Sequence, residues 1–485
     1  MSTTPPSPTW RECLEISKGE MCRRNDSPLI PDLLKGHPKV SLIRGVSGRS
    51  LIAKVAIPAF TEVLSDTAIA WYPPTCNTVG ASIPGMCDFA PSQTRESVER
   101  LLLELCPYAE ASGCPEANEI SDKTSLTRGE AYAKIANLNA LGALVDEDAP
   151  SEYRRVPLLC PLVAMIQHHC APNCSYESFY SKSAGAPGIR VFSECDIGEG
   201  EEISISYIPR HLPTSARQTQ LSTVYGFTCT CTRCVSCVED TVVYRCTECQ
   251  NGGIAEGGEE GVTAPCSQCG SKRKGEMGMA ERERFLTSSP LQSGDAAARA
   301  RLLLSSSTSP LHTDDQGCFS ALYACLGALW QDCSDAALKC TAAAAVCDSA
   351  AVSRVGRGPA YTCDALLIAG HFHALAAATE NQAKKAQLLE KAKEYYTRAS
   401  TLYRAMYGGT DPRVGISQSL AAAPPRSSSA AESAERKRLE ATSNWCSLYS
   451  LSQSKLLRWM KAVPRREGGG VDALAMRELI AASRR

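Results

Sequence analysis

Residues 166–179, IQHHCAPNCSYESF, set His168, His169, Cys170 and Cys174 close together around the turn-forming pair Pro172-Asn173. Histidine and cysteine at such spacing are the raw material of a metal site, or of a nucleophile beside its base. The stretch alone separates neither reading. The sequence on either side of it decides.

The chain has 485 residues, enough for roughly two to four domains with buried cores. An apolar share of 44% and a charged share of 21% point to globular packing rather than disorder. A net charge of -1 gives no bulk attraction to nucleic acid or an anionic membrane. The apolar run nearest the motif, VPLLCPLVAMI, is too short to span a bilayer and is broken by Pro161. The opening MSTTPPSPTWRECLE lacks the charged-then-apolar layout of a secretion signal. The expectation is a chain of the cytoplasm and/or nucleus without a membrane partner. Its 25 cysteines then read as reduced thiols and ligands rather than a disulfide framework. Cys325, Cys340 and Cys347, with no partner at ligand spacing, read as small core hydrophobes.

Upstream of the motif, VSLIRG and LIAKVAI around the turn VSGRS have the β-branched content and glycine punctuation of a hairpin. SQTRESVERLLLELC and RGEAYAKIANLNALGALV read as amphipathic helices. Strand character returns in PGIRVFSECDIGEGEEISISYI, and QNGGIAEGGEEG reads as a loop. Beyond about residue 280 the texture turns Ala- and Leu-rich. Leu388, Ala392, Tyr395, Ala399, Leu402 and Met406 recur every three or four residues, a helical stripe ending at Gly408. With HFHALAAATEN before it, this segment reads as a helical hairpin of tetratricopeptide-like size.

Cys246, Cys249, Cys266 and Cys269 form C-x2-C-x16-C-x2-C, the spacing of two knuckles closing one zinc site. Four thiolates leave no open position, so this zinc is expected to be structural. Cys229, Cys231 and Cys234 supply three further ligands as C-x-C-x2-C. The fourth is either the neighbouring Cys237 or the distant Cys170, and spacing does not separate them.

Taken in order, SGRSLIA, IQHHCAPNC, GEGEEISISYI and PTSARQTQLSTVYGFTCTCTRC resemble the SET-domain lysine methyltransferases, most closely the SET and MYND branch. The resemblance implies a multidomain α+β chain. An N-terminal segment (1–37) precedes a SET β-fold with its pseudoknot (38–208), split by an insert at about 66–135. A zinc-binding post-SET segment (209–237), a zinc-knuckle segment (238–275) and an all-α tetratricopeptide-like domain (276–485) follow. It also implies S-adenosyl-L-methionine as cofactor, approached by Gly48, Arg49, Asn139, Gln167, His168, Tyr225 and Phe227. Tyr207 is the expected catalytic residue, aligning a substrate protein's lysine amine. The motif at 166–179 then becomes part of the pocket, with Cys170 completing a post-SET zinc formed with Cys229, Cys231 and Cys234.

Three features depart from the family pattern. Ser50 stands where a second glycine is expected, and Gln167 where asparagine is expected, its amide one methylene farther out. The MYND finger is missing, since Cys76, Cys87, Cys106 and Cys114 lack its paired spacing. These departures leave a second reading, a SET-like adaptor of weak or absent activity whose helical groove binds a partner peptide. A nucleic-acid binder is disfavoured by the charge and by the absence of a basic stripe.

Overall fold

The structure, a computed structural model, describes residues 34–45, 48–68, 70–71, 139–144, 155–181, 186–210, 212–236, 238–257, 264–272, 278–292, 294–351, 359–377 and 381–427, with a few positions as far as 437. The described chain divides into two compact units. One holds residues up to 207 together with 219–228; the other holds 208–218 and the residues from 229 onward.

In the first unit the expected hairpin forms from β1 (Val40–Gly45) and β2 (Gly48–Ala53), with Val40 opposite Ala53 and Gly45 opposite Gly48. Val40, Leu51 and Ala53 put their side chains in the core, and Ser50 is buried beside them. β2 stops at Ala53 instead of running on through Ile57, because the chain changes partners. Ala53 donates to Glu201 O at 2.9 Å, and Ile57 exchanges backbone hydrogen bonds with Ile197.

The remaining strands are β3 (Glu62–Thr67), β4 (Ala70–Trp71), β5 (Leu141–Leu144), β6 (Arg155–Leu159), β7 (Gln167–His168), β8 (Cys174–Ser181), β9 (Ala186–Ser193) and β10 (Ser204–Ile205). They make antiparallel sheets in the orders β3-β9-β8 and β4-β6-β5, and β10 pairs with β7 in parallel. Two expectations are corrected here. Leu141–Leu144, the end of a segment read as helix, is a strand because its backbone pairs with Leu158 to Arg155. Tertiary pairing outweighs helix propensity in so short a piece. The alternating run EISISYI contributes only Ser204–Ile205 to a named strand, because Glu201 and Ile203 spend their backbone groups on β2.

The second unit carries α1 (Thr214–Gln220), α2 (Thr232–Val235) and the hairpin β11 (Val238–Arg245) and β12 (Gly253–Gly257). Residues 253–257 were expected in a loop. They form a strand because Ile254 is fully buried opposite Tyr244. Helices α3 (Met279–Leu286), α4 (Ser289–Gln292), α5 (Ala296–Leu304), α6 (Gln316–Asp332), α7 (Ala336–Ala351), α8 (Pro359–Ala376), α9 (Gln382–Tyr407) and α10 (Pro412–Ala422) follow. Asp295, Asp315, Asn381 and Asp411 cap four of them, each side chain accepting from first-turn N–H groups.

Contacts Asp364–Tyr403, His371–Tyr396 and His373–Tyr395 run in opposite directions along α8 and α9, so the pair is the antiparallel hairpin expected. The buried face of α9 is Ala392, Tyr395, Tyr396, Ala399, Tyr403 and Met406, with Leu388 and Leu402 only half-buried. Tyr396 and Tyr403 can be buried because their hydroxyls find partners, His371 Nδ1 at 2.8 Å and Asp364 Oδ1 at 3.1 Å. Cys325, Cys340 and Cys347 are core thiols, as expected. No described helix is long and apolar enough to cross a membrane. Cys76, Cys87, Cys106, Cys114, Cys237 and the helix expected at SQTRESVERLLLELC lie outside the described residues.

Candidate active site and cysteine centres

The parallel pair β7–β10 sets Gln167 beside Ser204 and His168 beside Ile205, two residues short of Tyr207. Asn173, in the turn after the motif, locks this arrangement. Its Oδ1 accepts the Ser204 N–H at 2.9 Å, and its Nδ2 donates to Glu202 O at 2.8 Å and Glu201 Oε1 at 3.1 Å. Asp66 supports the same strand from the other end. Its buried carboxylate accepts the N–H groups of Leu162 at 2.6 Å and Val163 at 3.1 Å. These begin the short 3-10 turn, Val163–Met165, that leads into β7. Burial raises the Asp66 carboxyl to about 7 against the pull of those two hydrogen bonds.

At the end of β10 the Tyr207 hydroxyl donates to Ile166 O at 2.6 Å. Its own N–H donates to His168 Nδ1 at 3.0 Å. A neutral imidazole that accepts at Nδ1 carries its proton on Nε2, and Nε2 lies 3.2 Å from Cys170 Sγ. His168 thus fixes the backbone of the expected catalytic tyrosine while facing an expected zinc ligand.

Tyr225 and Phe227 reach this place through Gly226. A five-residue π-type turn, Leu221–Tyr225, ends at Gly226, whose φ of 71° is the left-handed conformation glycine adopts without a Cβ penalty. Tyr225 then packs on Tyr207 with ring centroids 5.2 Å apart, and Phe227 on His168 at 5.9 Å. The Tyr225 hydroxyl donates to Tyr207 O at 3.3 Å, and burial raises its phenol to about 12, so it stays protonated at neutral pH. Gln167 Nε2 donates to Arg49 O at 2.6 Å, which joins the start of β2 to β7. The longer amide thus contacts the backbone of another of the expected pocket residues.

Gly48, Arg49, Gln167, His168, Tyr207, Tyr225 and Phe227 accordingly belong to one connected set of contacts, Gly48 opening the strand that carries Arg49. Asn139 lies half-buried just before β5. Asn173, Asp66 and the Ile166 carbonyl are the contributors the sequence reading missed. Asn173 was visible in the Pro-Asn turn. Nothing local marked Asp66, which acts on residues almost a hundred positions away.

Cys246, Cys249, Cys266 and Cys269 are grouped as a candidate metal centre, their sulfurs all within 4.8 Å of one another. Cys229, Cys231 and Cys234 likewise bring their three sulfurs within 4.8 Å of one another inside the second unit. In the first of these groups Cys246 Sγ is 3.5 Å from Cys269 Sγ, and Cys249 Sγ is 3.7 Å from Cys266 Sγ. Tetrahedral zinc with sulfur at about 2.3 Å needs sulfur pairs roughly 3.8 Å apart, so the donor set fits. The turns that present these thiols are tight. A Cβ on Gly252 would fall 2.2 Å from Cys266 Sγ, so only glycine allows that approach.

Residues 48–208 match the SET domain family model. Histone-lysine N-methyltransferase ASHR2 of Arabidopsis thaliana is 28% identical over 151 residues, 30% of this chain and 35% of that protein. Histone-lysine N-methyltransferase SMYD3 of Homo sapiens is 33% identical over 76 residues, 16% of each chain. The alignments thus span about a third or less of these relatives. A solved SET domain of LSMT, bound to lysine and AdoHcy, aligns with 79% of this chain and 88% of that one. At 12% identity and a TM-score of 0.25 that alignment is too loose to bear on function. The chain therefore carries a SET domain at residues 48–208 and a helical C-terminal region, and it resembles the SET-domain lysine methyltransferases.

Proposed function

We propose that the protein is an S-adenosyl-L-methionine-dependent protein-lysine N-methyltransferase with two structural zinc ions. The observation that carries this is the setting of Tyr207. Its hydroxyl donates to Ile166 O, which fixes the phenol oxygen at the place where an incoming amine would be aligned. The rings of Tyr225 and His168 flank it and shield that amine from water.

The cofactor, when bound, would supply a methyl group on a sulfonium whose neutral thioether is the leaving group. The residues present suit it. The Gly48–Arg49 backbone, steadied by Gln167, offers polar groups to an amino-acid end, and Phe227 beside His168 offers a ring face to an adenine. A lysine reaching Tyr207 must arrive neutral, and a half-buried aromatic channel disfavours the ammonium form. Tyr207 then holds the amine in line, while Tyr225 keeps its own proton on the Tyr207 carbonyl and stays out of proton transfer.

The zinc part rests on the two cysteine groups, and the resemblance names Cys170 as the fourth ligand beside Cys229, Cys231 and Cys234. It includes a reducing cytosolic or nuclear setting, in which thiols outside any disulfide stay reduced for a metal. The parallel β7–β10 pairing supports the pseudoknot expected of a SET fold.

The test is methyl transfer from radiolabelled S-adenosylmethionine to histone and non-histone proteins, with Tyr207→Phe as control. Label on lysine that depends on Tyr207 supports the proposal. Label that persists undiminished in the variant removes Tyr207 from the mechanism.

A further inference from the structure

We infer that Gln218 is a positioning residue for the metal on the Cys229–Cys234 run, an inference that rests on reading that run as a zinc site. Gln218 stands on α1, eleven residues before Cys229, and its side-chain amide brackets both peptide groups of that cysteine. Nε2 donates to Cys229 O at 2.6 Å, and Oε1 accepts the Cys229 N–H at 3.0 Å. A glutamine amide carries a donor and an acceptor in one plane, so it replaces a rung of a β-ladder with a side chain. Cys229 itself is buried, and its backbone has no freedom to rotate while both bonds hold.

The preceding residue grips the other end of the run. Arg217 is fully buried, with Nη1 donating to Leu212 O at 2.7 Å and Nη2 to Thr214 Oγ1 at 2.8 Å. Nη2 also lies 4.0 Å from Cys234 Sγ, and Glu239 balances the guanidinium at 3.7 Å. A fixed positive charge beside a sulfur that is anionic when ligated complements the metal-loaded state. Two successive residues of one helix therefore hold the first and last cysteines of C-x-C-x2-C, so that the sulfurs are set before the metal arrives. The glutamine in ARQTQL, which reads as an unremarkable helix position, acquires its role only through this contact.

The test compares zinc release to a chromophoric chelator from the full-length wild type and from Gln218→Met, which keeps length and removes both hydrogen bonds. Wild type is expected to hold two zinc ions. In Gln218→Met one of them should be released with affinity lowered about 10- to 100-fold, the other being unchanged and serving as internal reference. Cobalt-loaded samples give a second readout, since a distorted thiolate site alters the charge-transfer band. Should Gln218→Met not fold, Gln218→Glu, which keeps the acceptor and loses the donor, decides the matter: intermediate release supports the inference and wild-type release overturns it. A folded Gln218→Met that releases both ions as wild type does overturns it directly. A wild-type chain with a single zinc overturns the zinc reading beneath it, a separate failure.

Discussion

The Tyr207 hydroxyl and the Ile166 carbonyl, forty-one residues apart in sequence, meet at 2.6 Å. The bond adds to the arrangement that the parallel strands begin: β7 and β10 run side by side, and Tyr207, two residues beyond β10, reaches back to the residue before β7. Replacing Tyr207 by Phe keeps the ring against Tyr225 and His168 and removes only the oxygen. Methyl transfer is expected to fall about 10²- to 10³-fold, the usual loss for one positioned polar group, with a stability loss of about 1–3 kcal/mol from the bond withdrawn from the Ile166 carbonyl. Steady-state rates beside a melting curve check both halves.

Gln167 should matter to cofactor binding rather than to the fold as a whole. Gln167→Ala deletes the bond to Arg49 O, worth about 1 kcal/mol net, so S-adenosylmethionine affinity should weaken about fivefold. Equilibrium binding of the variant measures it, and an unchanged constant would remove Gln167 from the pocket.

Asp66 makes stability depend on pH in a particular direction. Its carboxyl titrates at about 7 in the folded chain against an ordinary 3.8. Between those values the unfolded chain gives up a proton that the folded chain keeps, so stability is expected to fall as pH rises from about 4 to about 7 and then level. Asp66→Asn retains an oxygen for the Leu162 and Val163 N–H groups and should flatten that slope. Denaturant midpoints across this range, wild type against variant, provide the comparison.

Asp315 holds three elements at once. Its fully buried carboxylate pairs with Arg282 at 2.7 Å, accepts the Val243 N–H at 3.3 Å and caps α6 through Gly317 and Cys318. Asp315→Ala strands a largely buried guanidinium together with those N–H groups. The expected cost is about 3–5 kcal/mol, read from chemical denaturation of the helical region. A cost below 1 kcal/mol would show that the pair is not what organises this corner.

Much of this was legible in the chain itself. The spacing of Cys246, Cys249, Cys266 and Cys269 is local, and a candidate metal centre of that kind is written in sequence separation. The β1–β2 hairpin and the α8–α9 pair follow from short-range periodicity in the same way. What escaped depends on distant partners. Leu141–Leu144 looks helical until β6 offers its edge. Gly253–Gly257 looks like loop until Ile254 finds Tyr244. Tyr396 and Tyr403 enter the core only because His371 and Asp364 satisfy their hydroxyls. Among the residues of the candidate site, Tyr207, Tyr225 and Phe227 were proposed from motif order, whereas Asp66 had no local mark.

The most direct test of the central claim is calorimetric binding of S-adenosylmethionine to the purified, zinc-loaded chain, with Phe227→Ala alongside. It requires no knowledge of the substrate protein. Micromolar binding that weakens when the Phe227 ring is removed from beside His168 is the expected result. A folded, zinc-replete sample that binds no S-adenosylmethionine would contradict the account.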